Sequence, residues 1–220
     1  MKQPWWKKAF SYIDDLHIES CSSVHNEEVS VYLSKGEYQL VTPEAIYSYG
    51  LRYDNFFNAF KKIRIKDIAP KETLLLGLGL GSIPYMLEKH FKVESNYTAV
   101  EIDENIIYLA SKYVLNDLKS DITTICTDAL HFVNLDQNKY DFIAMDIFIS
   151  DFIPPEFETI YFLENLKSLL STDGIVLFNR LYLFDNDKRK TEEYFQNTFK
   201  KIFPEGRYFE INGNWILLNK

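Results

Sequence analysis

The hydrophobic pattern of the chain changes character near Ile68-Ala69-Pro70. Before that point Val29, Val31 and Leu33 alternate with polar neighbours, Lys35-Gly36 gives a turn signal, and Tyr38 to Thr42 returns. That alternation predicts a β-hairpin, preceded by a short helix and closed by Pro43. Within the stretch 47–60, Tyr53, Phe56, Phe57 and Phe60 are spaced to share one helical face, which usually means a core stripe.

After that point strand and helix alternate, which implies a parallel sheet covered on both faces. Strands are expected at Thr73–Leu76, Tyr97–Ile102, Ile122–Cys126, Phe142–Met145 and Gly174–Phe178. Ser82 is expected to cap the first helix, with Pro84 in its first turn and Ile83, Leu87 and Phe91 facing inward. Asp103 caps the next, whose stripe is Ile106, Ile107, Ala110 and Val114. Further helices are read from Phe157 to Leu170 and from Thr191 to Ile202. Tyr208–Ile211 and Trp215–Leu218 flank Asn212-Gly213, a dipeptide that favours a type I′ hairpin turn. The expectation is an α/β fold with a seven-stranded sheet whose last strand is antiparallel. Residues 1–70 would form a small β-rich unit and residues 71–220 the main domain.

Composition narrows the function. The chain has 220 residues and a formal net charge of −8, and its one basic run (Lys61, Lys62, Arg64, Lys66, Lys71) reads as a solvated helix end and linker. Nucleic acid is therefore not expected as a partner, since phosphate binding needs a concentrated basic surface. Cys21 and Cys126 lie in unrelated segments, so neither a disulfide framework nor a metal site is suggested. No apolar run is long enough for a membrane span or a signal peptide, and a cytoplasmic location is expected.

Four elements carry candidate chemistry. Gly77-Leu78-Gly79-Leu80-Gly81 joins a buried strand to a helix, so Gly77, Gly79 and Gly81 would let the backbone pass close to a ligand. The spacing is G-x-G-x-G, which differs from the dinucleotide pattern because Ser82 occupies the sixth position. Glu101 ends the second strand twenty residues after Gly81, where an acid can accept from both ribose hydroxyls. Asp128, followed by Ala129, lies just past the third strand; it can accept from an adenine amino group, cap the short helix that begins at Ala129, or do both. Asp146 ends the fourth strand and opens the loop 147–155, where it can orient or deprotonate an acceptor. All four fall at carboxyl ends of parallel strands.

From Val29 onward these features resemble the spermidine synthase family, a branch of the Rossmann-like class I methyltransferase fold. The resemblance rests on the hairpin, the aromatic helix, the glycine loop, Val100-Glu101-Ile102-Asp103, Thr127-Asp128-Ala129, Asp146 and the Gly174 turn. It implies S-adenosylmethionine or its decarboxylated form as cofactor, with Glu101 on the ribose, Asp128 on the adenine and Asp146 as the central acid. Tyr53 and Asp54 align with an active-site Tyr-Gln pair, and a homodimer is open. Three departures stand out. The family's glycine loop carries an acid where this chain has Leu80. The family's strand-four loop carries a second acid three residues after its first, where Ile149 stands here and Asp151 lies two further on. The family's P-T-Y-P segment is absent. A dication needs several carboxylates to replace its hydration. The leading expectation is therefore methyl transfer to a small-molecule acceptor. Aminopropyl transfer, with Asp151 replacing the displaced acid, is second, and a non-catalytic nucleoside-binding module is third.

Overall fold

The computed structural model describes residues 3–43, 46–149 and 152–220. Helix α1 (Trp5–Phe10) leads into an antiparallel sheet of β1 (Leu16–Cys21), β2 (Val29–Ser34), β3 (Glu37–Val41) and β4 (Ile46–Ser48), paired in chain order. The predicted hairpin is β2–β3. Its turn residues Lys35 and Gly36 have φ of 48° and 82°, the left-handed pair that a two-residue hairpin needs. The two outer strands had no clear signal. β1 carries polar residues and a register shift between His17 and Glu19, and β4 is only three residues long.

The aromatic stretch is helical only from Asp54, as α2 (Asp54–Lys62), followed by the short α3 (Ile65–Ile68). Tyr47 belongs to β4 and Gly50–Arg52 forms one 3₁₀ turn, so the helix starts later than the stripe suggested. Of the expected stripe, Phe56 and Phe60 are buried and Phe57 is partly buried against the same core, while Tyr53 precedes the helix at its N-cap position.

The large sheet contains β5 (Glu72–Leu76), β6 (Asn96–Glu101), β7 (Ile122–Cys126), β8 (Tyr140–Met145), β9 (Leu170–Leu181), β10 (Arg207–Ile211) and β11 (Asn214–Leu218). Their order across the sheet is β10-β11-β9-β8-β5-β6-β7. β5 to β9 are parallel, and β11 is antiparallel to both neighbours, β9 and β10. The seven strands and the antiparallel last one match the expectation. The insertion of β11 inside the sheet explains why Trp215–Leu218 is apolar on both faces and buried throughout. Asn212 and Gly213 have φ of 47° and 81°, as the hairpin turn requires.

The covering helices are α4 (Ser82–Tyr85), which runs on as a π-helical turn over Met86–Phe91, α5 (Glu104–Tyr113), α6 (Ala129–Leu135), α7 (Ile160–Ser168) and α8 (Asp185–Tyr194). A second π-helical turn, Phe195–Phe199, carries α8 into α9 (Lys200–Ile202). Asp103 and Asp128 cap α5 and α6 by accepting from Asn105 N and His131 N. Ser82 does not cap α4. Gly81 holds that position at φ 80°, while Ser82 Oγ bonds Ser48 Oγ and accepts from Tyr49 N, tying the glycine loop to β4.

One core packs α2 and α4 on the sheet through Phe60, Leu75, Met86, Phe91 and Phe142. The opposite face buries Leu76, Ile143, Phe162, Phe178 and Phe199. A third core lies under the small sheet and joins Val29, Val31 and Leu40 to Ile106, Leu109 and Leu80. Leu80 is 1% exposed, so the glycine loop is anchored by a side chain turned away from any ligand. Full burial of a leucine contributes about 1.5–3 kcal/mol.

Candidate functional site

A cavity of about 750 Å³ opens at the carboxyl ends of the parallel strands. The structure brings Gly77, Gly79, Glu101, Asp128, Ala129, Asp146 and Tyr53 to its wall, together with Asp54. Gly81 is not on that wall: a Cβ there would meet Leu115 Cδ2 at 2.6 Å. Asp151 lies outside the described residues. Among the described residues no cluster of His, Cys, Asp and Glu is arranged to hold a metal ion, and no helix is long and apolar enough to cross a membrane.

Glu101 links the two loops beside it. Its Oε2 accepts from Leu78 N at 3.1 Å, and its Oε1 accepts from Ile102 N at 2.9 Å and Asp103 N at 3.2 Å. Burial raises its pKa, and the backbone N–H groups of Leu78, Asp103, Gly79 and Ile102 pull it back down. The carboxylate is thus held in one orientation at a polar wall. Asp128 Oδ1 accepts from His131 N at 3.1 Å, so the helix-cap role exists, and the residue still lines the cavity. No hydrogen bond among the described residues engages its Oδ2.

Asp146 sits at the end of β8. Tyr53 Oη donates to its Oδ2 at 2.8 Å and lies 3.1 Å from Oδ1, which also accepts from Asn179 Nδ2 at 2.9 Å. Asn179 Oδ1 in turn accepts from Asn214 Nδ2 at 3.0 Å, which fixes the amide so that its NH₂ faces Asp146. Burial pushes the Asp146 pKa up to about 6, against the opposing pull of Asn179 and Tyr53. Tyr53 stays protonated, because burial and the Asp146 charge hold its pKa well above the usual tyrosine value. The arrangement is a carboxylate that changes protonation near neutral pH, held by two neutral donors at a cavity wall.

Sequence reasoning missed Asn179 and Asn214. Their signal was present, as a polar residue after the apolar run of β9 and another opening the apolar strand β11. His25 and Asn26 were also missed. Asp103 holds their loop by accepting from Ser23 Oγ and from Asn26 Nδ2 (2.7 Å), which places both residues at the cavity wall. Nothing local in the sequence announces that contact.

Gly77 has a role beyond ligand approach. It has φ 87°, and a Cβ on it would stand 2.5 Å from the Asp146 carbonyl oxygen, a backbone atom. Gly77→Ala is expected to cost roughly 2 kcal/mol of stability from the left-handed backbone alone, with the clash displacing Asp146 as well. Urea unfolding of the variant checks the first effect, and the pH at which the Asp146 carboxyl titrates by NMR checks the second.

The glycine turn, the acid ending the next strand and the inserted antiparallel strand together define a Rossmann-like domain of the class I methyltransferase type. Within that class the chain belongs to the spermine/spermidine synthase domain family, whose model matches residues 59–211. A polyamine aminopropyltransferase of Vibrio vulnificus is 31% identical over 68% of this chain and 50% of its own length. An N-terminal histidine N-methyltransferase of Emericella nidulans is 34% identical over 64% of this chain and 25% of its own. The chain thus spans half or less of the length of these curated relatives. Human methyltransferase-like protein 13, solved with SAH, superposes with a TM-score of 0.58 and 26% identity over 71% of this chain and 79% of that one. A spermidine synthase in complex with the transition-state analogue AdoDATO gives a TM-score of 0.70 at 18% identity, over 92% of this chain and 72% of that one, and shows the fold.

Proposed function

We propose that this chain is an S-adenosylmethionine-dependent transferase that moves a methyl group to a small-molecule amine. The observation that carries the reading is Asp146, oriented by Tyr53 and Asn179 in the same cavity as Glu101 and Asp128. The donor set suits the cofactor: Glu101 offers acceptor oxygens for ribose hydroxyls, Asp128 an acceptor for the adenine amino group, and Gly77 and Gly79 a wall without side chains. S-adenosylmethionine would supply a methyl group made electrophilic by the sulfonium. Residues 71–220 form the cofactor-binding unit in this reading, and residues 1–70 close one side of it. Asp146 takes the proton from the ammonium form of the acceptor, so that the nitrogen lone pair becomes free to attack.

Leu80 favours methyl over aminopropyl transfer. The family's acid at this position is replaced by a side chain packed into the core under the small sheet, so no charge there recognises a lone aminopropyl amine. Aminopropyl transfer is the second reading. The 31% identity to the Vibrio vulnificus enzyme favours it, as do the carboxylates of Asp54 and Asp146 in one cavity.

Incubation with methyl-labelled S-adenosylmethionine and an amine pool separates these readings from each other and from a binding-only module. Labelled amine supports the first. Methylthioadenosine made from the decarboxylated cofactor and putrescine supports the second. Tight binding of SAH with no product supports the third. The pH profile is a further check. The base must be ionised, so kcat/KM is expected to fall as pH drops through about 6. Tyr53→Phe removes a donor to the ionised form and should move that limb to higher pH.

A further inference from the structure

Among the described residues six carboxylates line the cavity, those of Asp54, Glu101, Asp128, Asp146, Glu156 and Asp187, against Arg52 and His25. No lysine among the described residues lines it. Such a wall selects a cationic acceptor. The mouth has a different character. Phe184 is 69% exposed, Leu183 56% and Ile149 53%, and all three line the cavity. Large apolar side chains left open around a cavity entrance mark a surface that a ligand covers.

This apolar rim is also fixed in place. Phe184 N donates to Asp187 Oδ2 at 3.1 Å, which pins the backbone at the start of α8. Leu183 packs on the hairpin turn, where a Cβ on Gly213 would come within 2.9 Å of Leu183 Cδ1. The floor has room for one ammonium donor. Asp146 Oδ1 already accepts from Asn179 and lies near Tyr53, whereas among the described residues Oδ2 accepts only from Tyr53, and a carboxylate oxygen can accept two.

From this juxtaposition we propose that the acceptor is a monoamine on an apolar alkyl or aryl body, with its head at Asp146 and its body against Leu183 and Phe184. An α,ω-diamine would bring a second, hydrated ammonium to this rim and leave the apolar faces of Leu183 and Phe184 uncovered. The inference rests on the transferase reading above. In the step, the ammonium gives one proton to Asp146. The freed lone pair forms the N–C bond as the C–S bond breaks, leaving the thioether SAH and a methylated ammonium, and Asp146 then releases its proton to water.

The test uses the intact chain saturated with SAH, titrated calorimetrically with 2-phenylethylamine, hexylamine and putrescine. The two apolar amines are expected to bind at least tenfold more tightly than putrescine. Phe184→Ala should weaken 2-phenylethylamine about tenfold, the scale of burying one large apolar side chain, while SAH affinity stays unchanged. Equal or tighter binding of putrescine overturns the inference and leaves the transferase reading standing, as does a Phe184→Ala variant that binds 2-phenylethylamine unchanged. Failure to bind SAH removes the transferase reading, and this inference with it.

Discussion

Asp146→Asn is expected to retain SAH binding within about twofold and to lower turnover about 10²–10⁴-fold, the range for loss of a general base. The asparagine oxygen can still accept from Tyr53 and Asn179, so the local hydrogen bonds survive while the proton acceptor is lost. Stability should move the other way. Burial raises the carboxyl's folded-state pKa to about 6 from an ordinary value of 3.8. The folded state therefore holds a proton between those values that the unfolded chain releases, and stability falls as pH rises through that window. Above about pH 6 the charge is a burden that asparagine removes. The variant should accordingly melt at an equal or higher temperature than the parent at pH 8, and a lower Tm there would count against this account of Asp146. Single-turnover kinetics with saturating cofactor and amine measure the catalytic effect; a loss below about tenfold would remove the general-base role.

Glu101→Ala is expected to weaken SAH binding about 10–150-fold, corresponding to roughly 1.5–3 kcal/mol for hydrogen bonds to a charged group. The ribose hydroxyls would lose their acceptors. The N–H groups of Leu78, Ile102 and Asp103 would lose theirs too, so the glycine loop should loosen. Glu101→Gln separates the two effects, since its amide oxygen restores one acceptor without the charge. Calorimetry on the folded variants is the measurement. Alanine binding SAH as tightly as the parent would leave Glu101 with only its backbone contacts.

The parallel strands were legible because a strand covered on both faces reads as a short apolar run, as in Leu74-Leu75-Leu76 and Phe142-Ile143-Ala144-Met145. The final hairpin was legible because Asn212-Gly213 tolerates the left-handed backbone that its turn requires. Glu101, Asp128 and Asp146 could be grouped at one cavity wall because strand ends of this sheet converge on one edge. What escaped depends on long-range contact. Asn179 matters only because β9 lies beside β8, and Asn214 only because β11 inserts next to β9. The absence of an acid at position 80 could be read directly. That its side chain points into the core under the small sheet could not, because the residues that cover it, Val29, Val31 and Leu40, are distant in sequence. Gly81 was grouped with Gly77 and Gly79 on spacing, but those two line the cavity while its own neighbour is Leu115.

The insertion of β11 between β9 and β10 also bears on how the candidate site is assembled during folding. The β10–β11 hairpin is local and can close within microseconds, whereas its docking on β9 joins segments far apart in the chain and carries a larger loop-closure cost. That docking brings Asn214 to Asn179 and so completes the hydrogen-bond chain that aims the Asn179 amide at Asp146. The Asp146 carboxylate is therefore oriented by the same event that completes the sheet. A kinetic intermediate with the parallel strands assembled but the hairpin undocked would already have Glu101 beside its glycine turn, and it could bind nucleoside before it could catalyse. In refolding, recovery of nucleoside binding would then precede recovery of turnover, with the interval between them set by the docking of one hairpin.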